Sequence, residues 1–93
     1  LASALQSFPE TENFSLVERL RTEGEFAGAK EIITIDGVRV EYADGFGLAR
    51  PSNTTPVVVM RFEGDDMAAL KRIQRDFGVQ ILKIKPDARL PFA

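Results

Sequence analysis

The stretch from Glu31 to Phe62 constrains this chain most, because apolar and polar side chains alternate there and turn residues punctuate the runs. Val38, Val40 and Tyr42 alternate with Arg39 and Glu41. A period of two sends successive side chains to opposite faces of a strand, so one face is buried and the other is wet. Asp36-Gly37 and Asp44-Gly45 bracket this run. Asp-Gly is a two-residue hairpin signal, because a type I′ turn needs positive φ at both central residues. Glu31–Ile35 is strand-like on one side. On the other side Phe46 and Leu48 are expected to continue the inward face, with Gly47 and Ala49 opposite and the strand ending at Arg50. Val57–Phe62 is the most strongly β-forming run and reads as a central strand.

Helical spacing flanks these strands. From Phe14, the residues Leu16, Val17 and Leu20 fall on one face, with Glu18, Arg19 and Arg21 on the other and Asn13 as the expected N-cap. Gly24 and Gly28 mark a loose connection. Asp65 and Asp66 open a second helix, where carboxylates suit the positive end of the dipole. Met67, Leu70, Ile73 and Phe77 are its expected buried stripe. Val79–Ile84 either prolongs this helix or forms another strand, and Pro86 stops it. Ahead of Phe14, Leu1, Leu5 and Phe8 give only a weak apolar series, a strand remnant or a linker. The predicted class is α+β, an antiparallel sheet of about four strands with helices on one face.

Composition sets the outer bounds. Ninety-three residues, 44% apolar and 28% charged, suit one domain over 1–93. A net charge of −2 argues against a general nucleic-acid binder. No run of about 18 apolar residues predicts a membrane span. There is no Cys and no His. Disulfides, thiolate chemistry, the usual general base and the commonest transition-metal ligand are therefore excluded. Absence of Cys fits a cytoplasmic protein. The chain begins at Leu1 with no Met and no signal pattern, and is read as a piece excised from a longer polypeptide.

One segment carries chemistry, Arg50-Pro51-Ser52-Asn53-Thr54-Thr55-Pro56. It lacks the Gly of an ordinary turn. Instead it offers the hydroxyls of Ser52, Thr54 and Thr55, the Asn53 amide, several backbone N–H groups and a guanidinium at the entrance, with no carboxylate inside. A dianionic phosphate accepts hydrogen bonds from many directions. Arg50 presents two parallel N–H groups, which Lys cannot match, and hydroxyls with successive N–H groups complete an anion nest. The prolines restrict the loop and lower the ordering cost of binding. By physics alone, such residues serve more often as a turn that bonds its own backbone.

The motifs in order resemble a known family. Asp36-Gly37-Val38-Arg39-Val40, Gly45-Phe46-Gly47-Leu48, Arg50–Pro56 and the run ending Arg61-Phe62-Glu63 look like the last domain of the α-D-phosphohexomutases, closest to the bacterial phosphomannomutase/phosphoglucomutase branch. The likeness is continuous from about Glu31 to about Phe77 and looser to Phe92. It implies a TATA-box-binding-protein-like α+β fold. It implies a parent enzyme of four domains, with a phosphoserine in the first, Mg²⁺ on an Asp triad in the second and hydroxyl readers in the third. The fourth grips the non-transferred phosphate of mannose or glucose 1- or 6-phosphate. Arg50, Ser52, Asn53 and Thr54 are then the phosphate ligands, with Thr55 a further member. No cofactor is implied for this domain; Mg²⁺ and a hexose 1,6-bisphosphate activator are implied for the whole enzyme. The resemblance gives the fragment the other three domains and a phosphosugar as partners, no nucleic acid or membrane, and no catalysis alone. The segment after Pro9-Glu10 is shorter than the family leads one to expect, which leaves the first strand open.

Other constellations have plainer readings. Asp65-Asp66 reads as dipole partners of a helix and not as a metal site. Ser52 has no His or other base to make it a nucleophile. Arg39 and Arg61 belong to the sheet's wet face, and Lys71, Arg72, Arg75, Lys83 and Lys85 to a solvated helix face. Two alternatives remain, a non-enzymatic interaction module and the same domain of a phosphoglucosamine mutase. For the latter a Gly would be expected where Asn53 stands.

Overall fold

The alternation of residues 38–64 builds three adjacent strands, and the rest of the chain is laid around them. The computed structural model describes residues 1–92. Its elements are β1 (Ala2–Pro9), α1 (Asn13–Glu23), β2 (Glu31–Ile33), β3 (Val38–Tyr42), β4 (Gly45–Pro51), β5 (Val57–Gly64) and α2 (Met67–Ile84). The described strands form one five-stranded antiparallel sheet in the order β1-β5-β4-β3-β2. The fold is thus α+β with one strand more than the sequence predicts. The added strand is β1, paired to β5 from Ala2↔Gly64 to Pro9↔Val57. It was hard to read because its inward residues are small or polar, Ala2, Ala4 and Gln6, with Phe8 alone large. Leu1 and Leu5 are exposed.

Both helices cover the face that carries Val38, Val40, Tyr42, Val58, Met60 and Phe62, all buried. Leu16, Val17 and Leu20 of α1 and Leu70, Ile73, Phe77 and Ile81 of α2 complete the core. The Phe77 ring lies 4.9 Å from that of Phe26 and edge-on to Phe62 at 5.3 Å. Fully burying one such side chain is worth roughly 1.5–3 kcal/mol. The tail folds back, with Phe92 edge-on to Phe62 at 5.5 Å. Val79–Ile84 prolongs α2 and forms no strand. Asp66 caps this helix, its Oδ1 accepting the Ala69 N–H at 2.8 Å. Met67, placed in the buried stripe by spacing, is exposed at the first turn. None of the described helices is long and apolar enough to cross a membrane.

Two sequence expectations fail at the turns. Asp36-Gly37 does not make a two-residue hairpin, because Ile33 pairs with Arg39 and the connection runs over Thr34–Gly37. Only Gly37 has positive φ there, at 114°, so a type I′ turn is absent. The next hairpin has a two-residue loop, but it is Ala43-Asp44, since Tyr42 pairs with Gly45. That register inverts the predicted faces of β4. Tyr42 points inward, so Gly45, Gly47 and Ala49 do too, and Phe46 and Leu48 stand on the open face. The physical reason is Phe77: a Cβ on Gly47 would meet its Cε1 at 2.4 Å. On the open face, Phe46 is covered by the Arg39 guanidinium, 4.0 Å above its ring and also paired with Glu41.

Candidate functional site

The segment singled out by its donors joins β4 to β5 at the end of the sheet beside the start of α1. Arg50 is the last open-face residue of β4, opposite Val59, and it is exposed. No carboxylate is paired with it among the described residues. Gly37 explains how the β2–β3 connection approaches it, since a Cβ there would lie 2.3 Å from the Ala49 carbonyl oxygen and 2.9 Å from Arg50 Cβ. Arg50, Pro51 and Asn53, together with Phe14, Asp36 and Gly37, line an open cleft of about 510 Å³.

Of the predicted ligands, Arg50 and Asn53 therefore share one cleft. Ser52, Thr54 and Thr55 form a neighbouring hydroxyl cluster instead. Ser52 Oγ accepts from the N–H groups of Thr54 and Thr55 at 3.3 Å and from Thr55 Oγ1 at 3.0 Å, and lies 3.5 Å from Thr54 Oγ1. The Ser52 N–H donates to the Val57 carbonyl at 3.1 Å. The loop thus holds its own shape while its hydroxyls stay at the surface, where a hydroxyl can donate outward as well as accept.

Two neighbours were not found from the sequence in this role. Asn13, expected as an N-cap, is instead the first residue of α1, and Glu12 stands at the cap with no side-chain bond. The buried Asn13 amide donates to the carbonyls of Ser52 at 3.0 Å, Val57 at 2.9 Å and Thr55 at 3.4 Å. Glu10 is also buried. Its N–H donates to the Pro56 carbonyl at 2.7 Å, and its carboxylate meets Lys85 Nζ at 3.2 Å. That carboxylate raises the pKa of Lys85. Nothing in a separation of some forty residues announces either contact; only the fold brings them together.

The remaining charged groups serve the scaffold. Arg72 makes a two-pronged bond to Asp44 at 2.5 and 2.6 Å, and Lys83 reaches Glu25 at 3.2 Å. The guanidinium of Arg72 holds the Asp44 carboxyl below its ordinary range. Asp66 is engaged as a cap, and among the described residues no group of three or more acidic side chains stands together.

Comparison with known proteins gives the family. The family model "Phosphoglucomutase/phosphomannomutase, C-terminal domain" matches residues 7–78, which takes in the loop, the cleft and most of both helices. The chain belongs to this family. A phosphoglucomutase of Neisseria gonorrhoeae is 58% identical over 72 residues, 76% of this chain and 16% of that protein. A phosphomannomutase/phosphoglucomutase of Pseudomonas putida is 49% identical over 79 residues, 85% of this chain and 17% of that protein. A crystal structure of a phosphoglucomutase/phosphomannomutase family protein from Burkholderia thailandensis superposes with a TM-score of 0.87 at 54% identity. It covers 98% of this chain and 19% of its own. The family likeness therefore extends well beyond residues 31–77, where the motifs carried it. The chain spans less than a fifth of the length of these relatives.

Proposed function

We propose that this is the phosphate-gripping, C-terminal domain of a four-domain phosphomannomutase/phosphoglucomutase. It binds the non-transferred phosphate of a mannose or glucose phosphate, while the other three domains supply the phosphoserine, the Mg²⁺ and the hydroxyl contacts. The observation that carries this reading is the shared cleft of Arg50 and Asn53 beside the surface hydroxyl cluster of Ser52, Thr54 and Thr55. Family membership supports the parent chemistry, a transfer between the 1- and 6-positions through a hexose 1,6-bisphosphate.

That chemistry explains why the segment from Arg50 to Pro56 carries donors and no carboxylate. The bisphosphate must reverse between the two half-reactions, so the idle phosphate comes from either end of the sugar. A loop that recognises phosphate and little of the ring serves both orientations. Its binding energy then holds the reacting end in place. As one domain of four, the isolated chain binds and does not catalyse.

The test is titration of the chain with glucose 1-phosphate, followed by backbone amide resonances. Shifts are expected at residues 50–55, with a dissociation constant of about 1 mM or weaker, since 1 mM is about −4.1 kcal/mol. Arg50→Ala leaves the sheet resonances in place and weakens binding about ten-fold or more, because a hydrogen bond to a charged group is worth roughly 1.5–3 kcal/mol. Shifts confined to other surfaces, with this loop silent at high phosphate, would count against the reading.

A further inference from the structure

A loop that offers N–H groups to a dianion must turn its carbonyl oxygens elsewhere, because their partial negative charge opposes the ligand. The Ser52 carbonyl turns to a buried group, the Asn13 side-chain amide, at 3.0 Å. The same amide donates to the Val57 carbonyl at 2.9 Å and lies 3.4 Å from that of Thr55, which also accept the N–H groups of Ser52 at 3.1 Å and Val57 at 2.8 Å. The Pro56 carbonyl turns to the Glu10 N–H at 2.7 Å. Asn13 is only 6% exposed, although it sits in the first turn of a surface helix. An amide is the right group here, since its NH₂ carries two donors and brings no charge.

The consequence for the loop follows from peptide planarity. Across a trans peptide the C=O and the next N–H point to opposite sides. With the Ser52 carbonyl held by Asn13, the Asn53 N–H is turned away from the body of the domain. That N–H meets no acceptor among the described residues, and Asn53 lines the cleft with Arg50. The Thr54 and Thr55 N–H groups, by contrast, are both drawn onto Ser52 Oγ. Asn13 therefore selects which backbone donor of the loop is presented.

We propose that Asn13 is a positioning residue for the phosphate site: its amide fastens the Ser52 carbonyl inward and thereby presents the Asn53 N–H to the anion. The proposal rests on the reading that this loop binds phosphate. Asn13 does not touch the ligand.

The test compares the wild-type chain, Arg50→Ala and Asn13→Ala, each titrated with inorganic phosphate and followed by amide resonances. In wild type the Asn53 amide proton moves downfield on binding. In Asn13→Ala the sheet resonances stay native, phosphate binds about ten-fold more weakly, and the Asn53 shift is lost. A purely structural role would lower the melting temperature and leave the Asn53 shift at saturation unchanged. A folded Asn13→Ala that binds phosphate with wild-type affinity and shows the wild-type Asn53 shift overturns the proposal while leaving phosphate binding intact. No loop shift in wild type sinks the phosphate reading, and the proposal with it. Should Asn13→Ala fail to fold, Asn13→Thr, which keeps one donor, is read the same way. It is expected to bind with intermediate affinity, and wild-type affinity with a wild-type Asn53 shift would overturn the proposal.

Discussion

Arg50 shares its cleft with Asp36, an exposed carboxylate that faces an incoming dianion with the wrong sign. Charges across an open, solvated cleft are screened, so the penalty is modest. Asp36→Asn is expected to tighten phosphate roughly two-fold at low salt, an effect that 0.5 M salt removes; calorimetric titration at the two ionic strengths checks it. A second residue bears on stability alone. The Tyr42 hydroxyl is buried with no hydrogen-bond partner among the described residues. Burial, followed by the charge of Asp76, pushes its pKa well above the ordinary 10. Between the unfolded and folded values the native state retains a proton that the unfolded chain has lost. Stability is therefore full below about pH 10 and falls as pH rises from there through the folded value. Tyr42→Phe should remove that loss and stabilise the chain by about 1 kcal/mol at pH 7, read from melting curves at pH 7 and 10.5. Single residues were also where sequence reading went furthest wrong. Asn13 looked like a cap because Asn before an apolar helix usually is one. Its partners lie about forty residues away, and local pattern cannot register them.

Elements were more legible where a strict period met a buried face. β3, β5 and both helices carry their inward residues at regular spacing, and apart from Met67 at the start of α2 these are the residues found buried. β4 was misread because its inward positions are Gly45, Gly47 and Ala49, so the hydrophobic pattern pointed to the wrong face. Hydrophobicity marks burial only where there is room for a side chain; here α2 lies so close that Phe77 fills the space over Gly47. Gly47→Ala should force that helix away and destabilise the chain by about 1–3 kcal/mol, measurable by urea unfolding. If Gly47→Ala unfolds at the wild-type midpoint, α2 does not press on β4 as described. β1 is illegible for the converse reason. As an edge strand with small inner residues, it shows no alternation until its partner β5 is in place. Leu5→Lys on its open face should be tolerated, whereas Phe8→Ala should cost about 3–5 kcal/mol.

At the scale of the molecule, the α+β class and the donor-rich segment could both be read from the chain, whereas the cleft could not. Its walls come from α1, the β2–β3 connection, and the end of β4 with the loop that follows it, segments that meet only in the folded sheet. A ligand that binds this folded surface alone stabilises the whole chain by mass action. At ten times the dissociation constant the gain is about 1.4 kcal/mol. For a domain of this size that raises the melting temperature by roughly 6–11 °C, and chloride at matched ionic strength should not reproduce it.

The most direct measurement is an amide-shift comparison of glucose 1-phosphate, glucose 6-phosphate and unphosphorylated glucose on the same sample. The account predicts that both phosphates move the same resonances between Arg50 and Thr55 with similar affinity, and that glucose moves none of them. Equal shifts with glucose, or two separate sets of residues for the two isomers, would contradict a site that holds phosphate from either end of the sugar.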